Sequence, residues 1–250
     1  MTQLFSHLRV SSEYSISQGL LTVDQIVDNA IRSSVPSVAL TDKSNMFGLV
    51  KFFNKCESAG IKPISGSSIR LIFDDDDTSY ELLCLAKTNN GHKNLMKIIS
   101  NAHNNSLFNF PIIRFNDLIE LKDDIIVISG GKDSHIFEYL KSNNISDASK
   151  RIDDFRNNFG DNFVLDVQLT NRIDEIEYLK NVLPIAKDKG IPLIATNDVL
   201  FAEQDDYEIH ETKVCINTGK TLNDPNRERV FSEHQYFKSC LLYTSDAADD

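Results

Sequence analysis

Apolar runs of strand length alternate with stretches of helical period along most of this chain, and that order limits the folds open to it. Residues 5–10 read as a first short strand. Thr22 is placed to N-cap a helix with apolar positions Val23, Ile26, Val27, Ala30 and Ile31, and Pro36 closes that unit. A second strand covers 37–41 (SVALT), a helix covers 48–59 with Gly60 as a left-handed stop, and 61–73 contain a third strand. The alternation lapses where 74–77 (DDDD) make a turn and 80–86 (YELLCLA) return as a hairpin partner. Helical spacing over 92–103 lines up Leu95, Ile98, Ile99 and Ala102, and after a loop 125–129 (IIVIS) form a buried strand ended by Gly130 and Gly131. Helices over 136–141 and 145–159 lead to a strand at 163–170 with the polar set Asp166, Gln168 and Thr170. A helix over 173–189, kinked or broken at Pro184 and stopped by Gly190, precedes the last strand, 191–196. Seven strands, most followed by helices and joined without a flexible linker, predict an α/β fold: a distorted (β/α)7 barrel rather than an open doubly wound sheet.

Composition narrows function. The net charge of −11 argues against a stand-alone nucleic-acid binder, because such affinity comes largely from neutralising phosphates; Lys51, Lys55 and Lys62 are the candidates for a local basic face. No run of eighteen apolar residues occurs and the first ten residues lack a signal pattern, so no membrane partner and a cytoplasmic setting are expected. Cys56, Cys84, Cys215 and Cys240 lie far apart without a C-x-x-C pair and read as reduced, mostly buried thiols. His7, His92, His103, His135, His210 and His234 share no metal-ligand spacing, and structural or surface roles are expected for them. The aspartate run at 74–77 lacks the glycine and terminal glutamate of a calcium loop and reads as a solvated turn. Gly130-Gly131 lacks a following G-K-S/T and reads as a tight turn, and no nucleophile elbow occurs.

In a β/α barrel, chemistry sits where the strands end. Polar clusters follow three of them, at 7–15 (HLRVSSEYS), 41–45 (TDKSN) and 196–201 (TNDVLF). With the segments HLRVSSEYSISQGL, ALTDKSNMFGLVKFFNKCESAGIKPISGSSI, LLCLAKTNNGHKNLMKIIS, IIVISGG, IPLIATNDVLF and EIHETKVCINTGKTLND, in that order from residue 5 to about 238, the chain resembles the polymerase-and-histidinol-phosphatase (PHP) domain at the N-terminus of bacterial DNA polymerase III alpha subunits. The resemblance implies a distorted seven-stranded β/α barrel spanning 1–238. Residues 239–250 depart from the family; 240–250 read as translated adaptor, a loosely packed non-native tail.

Active members of that family hold metal ions with histidines and carboxylates and use them for 3′–5′ exonuclease proofreading, since clustered cations lower the pKa of a water and clamp the phosphodiester. This chain departs from the pattern. Arg9 and Ser11 stand where active members carry His-x-His, Gln18 replaces an aspartate, and Lys43 replaces the histidine after Thr41-Asp42. Ser68 replaces a glutamate, Gly131 a cysteine, and Leu200 the histidine two residues after Asp198, the one clear survivor. Arg9 and Lys43 are expected to neutralise Asp42 or Asp198, turning a vestigial metal site into an ion-pair network. The resemblance thus implies the degenerate subtype: no catalytic residue and no metal or other cofactor bound within this chain, a scaffold that docks a separate proofreading exonuclease subunit, and a parent DNA-directed DNA polymerase within the polymerase III holoenzyme. Magnesium for nucleotidyl transfer, and contact with DNA, belong to palm, fingers and thumb segments absent from this chain, so it is not expected to polymerise DNA alone. The alternative is a metal-dependent 3′–5′ exonuclease or phosphoesterase within the PHP domain; a free-standing histidinol-phosphatase-like enzyme would need the same lost ligands.

Overall fold

Thr22 caps the first helix: its side chain accepts from the Gln25 backbone while the Gln25 side chain accepts from the Thr22 backbone. In the computed structural model, which describes residues 5–76, 78–104 and 110–239, this helix is α1 (Val23–Arg32). It is followed by β1 (Ser37–Leu40), α2 (Leu49–Ala59), β2 (Lys62–Ile72) and β3 (Ser79–Ala86). Gly60 ends α2 at φ +70°, as expected of a left-handed stop. Next come α3 (Asn89–Asn104), β4 (Ile113–Arg114), α4 (Phe115–Glu120), β5 (Ile125–Ser129), α5 (His135–Lys141), α6 (Ile145–Phe159), β6 (Phe163–Val167), α7 (Glu175–Lys189), β7 (Leu193–Ala195) and α8 (Tyr207–Thr218).

The strands lie side by side in the order β1-β2-β3-β5-β6-β7, with β4 pairing in parallel to the end of β2. Only β3 runs against its neighbours, and it forms the expected hairpin with β2. The expected first strand is not a regular one. Residues 7–11 cross the gap between the two sheet edges: Ala39 N–H donates to His7 O and Thr41 N–H to Val10 O on one side, while Ser11 N–H donates to Val199 O and Val199 N–H to Arg9 O on the other. Leu8 packs on the barrel interior and Arg9 also reaches into it, a break in the two-residue period that a pleated strand requires.

Side-chain alternation sorts the core into layers. Ala39, Leu83, Leu85 and Ile128 face the barrel interior. Outward residues pack on helices: Val38 and Leu40 with Ile26, Val27 and Phe52 of α1 and α2, and Leu82, Cys84, Val127 and Leu165 with Leu95, Ile98, Ile152 and Val182 of α3, α6 and α7. Cys56, Cys84 and Cys215 are free and buried; Cys240 and the expected tail beyond Ser239 lie outside the described residues.

Several boundaries need correction. The strand expected over 163–170 stops at Val167, and the last strand shrinks to Leu193–Ala195. The loop expected before β5 contains β4 and α4, too short to leave a period in the sequence. The helix α7 runs unbroken past Pro184. The aspartate run is more than a solvated turn: Asp74 pairs with Arg114, Asp75 with Arg151, and Asp76 Oδ2 lies 3.0 Å from His135 Nε2, while Asp77 lies outside the described residues.

Candidate functional site

At the end of the barrel where the parallel strands finish, Arg9 reaches into the interior from the edge-closing segment. One guanidinium nitrogen donates to Glu81 Oε1 at 2.9 Å and the other to Asp166 Oδ2 at 3.2 Å. Arg9 and Asp166 are both buried. Glu81 enters from β3 and is shared: Lys43 Nζ lies 3.2 Å from its Oε2, and Ser68 Oγ donates to its Oε1 at 2.7 Å. Asp166, on the inward face of β6, accepts from Thr196 Oγ1 at 2.7 Å and Gln168 Nε2 at 2.7 Å. Three chain-distant elements are thereby locked at one point.

Electrostatics follow from this arrangement. Burial opposes the charge of Arg9, but Asp166 and Glu81, with Asp198 and Asp133 farther off, outweigh it and raise the pKa of the guanidinium. Burial alone would raise Glu81; Lys43 and Arg9 overcome it and hold the carboxyl well below its ordinary range. For Asp166 burial wins, and Arg9 only partly offsets the rise.

The other expected positions are placed around this network. Of the two carboxylates expected to meet the cations, Asp42 meets neither: it accepts from the Ser12 amide and from the hydroxyls of Ser12 and Ser15, each at 2.7 Å. Asp198 accepts from Gln235 Nε2 at 2.9 Å and lies 4.0 Å from Arg172 Nη1; burial raises its pKa, with Arg9 and Arg172 acting against the rise. Ser11 and Leu200 are buried, and their backbones bind Val199 and Gln235. Gln18 lies in the turn after Ser15 and makes no side-chain hydrogen bond to this network. Gly131 takes φ +59°, and a Cβ there would meet Gln168 at 3.7 Å.

The cations that were expected to neutralise Asp42 or Asp198 therefore meet Glu81 and Asp166. Arg172 was also missed; it joins Glu175, Asp133 and Asp198. A signal existed for two of the three, since Glu81 is the one charged residue of YELLCLA and Asp166 belongs to the polar set of its strand. Of the three candidates for a basic face, Lys51 and Lys55 both pair with Asp24. His7 lies apart, with its Nε2 2.9 Å from Lys238 O.

This donor set does not fit a cation cluster. The carboxylates of Glu81 and Asp166 already face a guanidinium and an ammonium, and the Ser68 hydroxyl is spent on Glu81. Among the described residues no group of three His, Cys, Asp or Glu side chains is arranged to hold a metal ion.

A family model described as the PHP domain matches residues 7–170. The chain belongs to the PHP domain family. The PHP domain is 37% identical over 241 residues to the DNA polymerase III subunit alpha of Pseudomonas aeruginosa, covering 96% of this chain and 20% of that protein. It is 35% identical over 237 residues to that of Pasteurella multocida, covering 94% of this chain and 20% of that protein. It thus spans about a fifth of the length of the curated relatives it matches. Its fold is also that of an amidohydrolase from Chromobacterium violaceum, solved with sulfate and without metal, at TM-score 0.54 and 11% identity over 83% of this chain and 96% of that one. Among the described residues, no helix is long and apolar enough to cross a membrane.

Proposed function

We propose that this PHP domain is part of a replicative DNA polymerase III alpha subunit, a cytoplasmic DNA-directed DNA polymerase, and serves there as a metal-free scaffold that docks the proofreading exonuclease subunit. The supporting observation is the Arg9 guanidinium held between Glu81 and Asp166, with Lys43 on the same glutamate. A fixed cation in that position repels a divalent ion and already satisfies the lone pairs such an ion would use. The similarity to alpha subunits supports the parent activity, in which magnesium and DNA are handled by segments outside this chain. The scaffold role rests on the same network, since it joins the edge-closing segment to β3 and β6.

Metal content after exposure to zinc, manganese and magnesium tests the reading, with Asp198→Ala as the control. Near-zero stoichiometry is expected. Two or more tightly held ions, lost in the variant, would overturn it in favour of a metal-dependent exonuclease or phosphoesterase within the domain.

A further inference from the structure

At the opposite end of the barrel from Arg9, where the parallel strands begin, the inner core is not sealed. Leu8, Ile64 and Ile126 belong to the layer that packs on Ala39, Leu83, Leu85 and Ile128, yet each of the three is only partly buried. With Leu85 they line one side of a cavity of about 720 Å3, and Leu49 and Phe53 of α2 line another. That volume falls within the range of small-molecule sites, and the wall is the barrel's own interior rather than the outward face of a helix. Polar groups around it are few. Ser65 Oγ and His92 Nδ1 lie 3.1 Å apart and satisfy each other. The start of α3 is already served by Asp124, whose Oδ2 accepts from Thr88 Oγ1 at 2.7 Å and from Asn90 Nδ2 at 3.4 Å. What is left over is positive charge. Lys62 and Lys87 are exposed residues of the lining; Lys87 Nζ donates to the neutral Asn162 Oδ1 at 2.8 Å, and Lys62 has no carboxylate partner among the described residues. In a chain of net charge −11, no Asp or Glu lines this cavity.

We propose that this cavity binds an aliphatic carboxylate, with the chain among Ile64, Leu85 and Ile126 and the anionic head at Lys62 and Lys87. The proposal stands apart from the docking role above and does not depend on it. An apolar tail gains by leaving water for the open end of the core, and a single anion meets cations that no protein carboxylate has claimed. A phosphate-rich ligand fits less well, because it needs more donors than two lysines supply. Anionic lipid bilayers present the same pairing of acyl chain and negative charge, but an apolar wall recessed inside the barrel takes a free chain and not an intact surface.

The test is isothermal titration of the whole chain with hexanoate, octanoate and decanoate below their micelle concentrations, with decanol and phosphatidylglycerol vesicles as comparison ligands. The variants are Ile126→Trp, which fills the cavity, and Lys62→Glu, which reverses one charge, with thermal melts to confirm folding. The expected result is saturable binding of decanoate, tighter than that of decanol, with affinity rising about threefold to fourfold for each added methylene. That affinity is expected to fall by about tenfold or more in Ile126→Trp and by about threefold or more in Lys62→Glu, and to weaken with salt. Lys62 is exposed, so its variant keeps the test open even if Ile126→Trp does not fold. Absence of saturable binding at millimolar decanoate would overturn the proposal, as would an affinity that ignores chain length or both substitutions. Decanol binding as tightly as decanoate would overturn the part given to the lysines. Binding to vesicles without binding of free decanoate would overturn the cavity in favour of a membrane-facing surface.

Discussion

Through one side chain, Arg9 ties the edge-closing segment to β3 and β6. Its two carboxylate partners sit on different strands, and one is fully buried, so truncation leaves Asp166 charged without a counter-ion in the barrel interior. Arg9→Met is expected to destabilise the fold by about 3–5 kcal/mol, read by urea denaturation, whereas the double variant Arg9→Met, Asp166→Asn recovers part of that loss. A loss within about 0.5 kcal/mol would show that water or another cation already compensates Asp166. Lysine is a poor replacement, because a point charge cannot span two acceptors the way a planar fork does. At this scale the sequence made the cations at positions 9 and 43 legible, and it made an ion-pair network the natural reading. It did not name their direct partners, although Arg9 does act on Asp198 from a distance. Which carboxylates face them depends on strand register, and Glu81 lies opposite Arg70 across the hairpin, a pairing that no local pattern announces.

Among the elements, those with a strong period or a cap were legible. Thr22 announces α1, and Gly60 and Gly190 end α2 and α7. The misses have physical causes. The helix α8 buries His210, Glu211 and Cys215 while Ile209 and Ile216 face water, so it carries no apolar stripe to detect. Pro184 misled in the other direction. It removes a backbone donor and crowds the preceding turn, yet α7 continues because Tyr178, Val182 and Ala186 hold the helix from its buried face. Since Pro184 itself is exposed, Pro184→Ala is expected to raise stability by about 1–3 kcal/mol with no loss of packing, measured as an upward shift of the denaturation midpoint. An unchanged or lower midpoint would mean that the ring makes a contact worth keeping.

For the whole molecule, the barrel class and the number of strands were readable from alternation alone, but membership was not: the expected first strand drops out as an edge-closing segment and β4 takes its place in the count. Burial on this scale also sets an acid response. His7, His135 and His210 are each held neutral in the fold, with pKa lowered to about 4, chiefly by burial. The unfolded chain protonates them near pH 6.5, so their contribution is intact above that value and is lost as the pH falls toward 4. Asp166 and Asp198, raised by burial, oppose the trend, because protonation relieves them in the folded state. His210, packed against Phe201 and Phe231, isolates the effect. The stability of His210→Phe relative to wild type is expected to improve by roughly 2 kcal/mol between pH 7 and pH 5, and a difference that does not change with pH would refute neutral burial at that site.

The segment that joins the two sheet edges has a consequence in time as well as in space. Its last partners come late in the chain: His7 waits for Lys238, 231 residues onward, and Arg9 waits for Asp166, 157 residues onward. Synthesis at 5–20 residues per second puts roughly 10–50 s between the emergence of the first pair's members. Helices α1 and α2 and the β2–β3 hairpin form from local contacts during that interval and bring Glu81 to hand, but the ring stays open and Arg9 lacks its second carboxylate, Asp166, until the later strands arrive. Completion of the domain is therefore a late event on the ribosome.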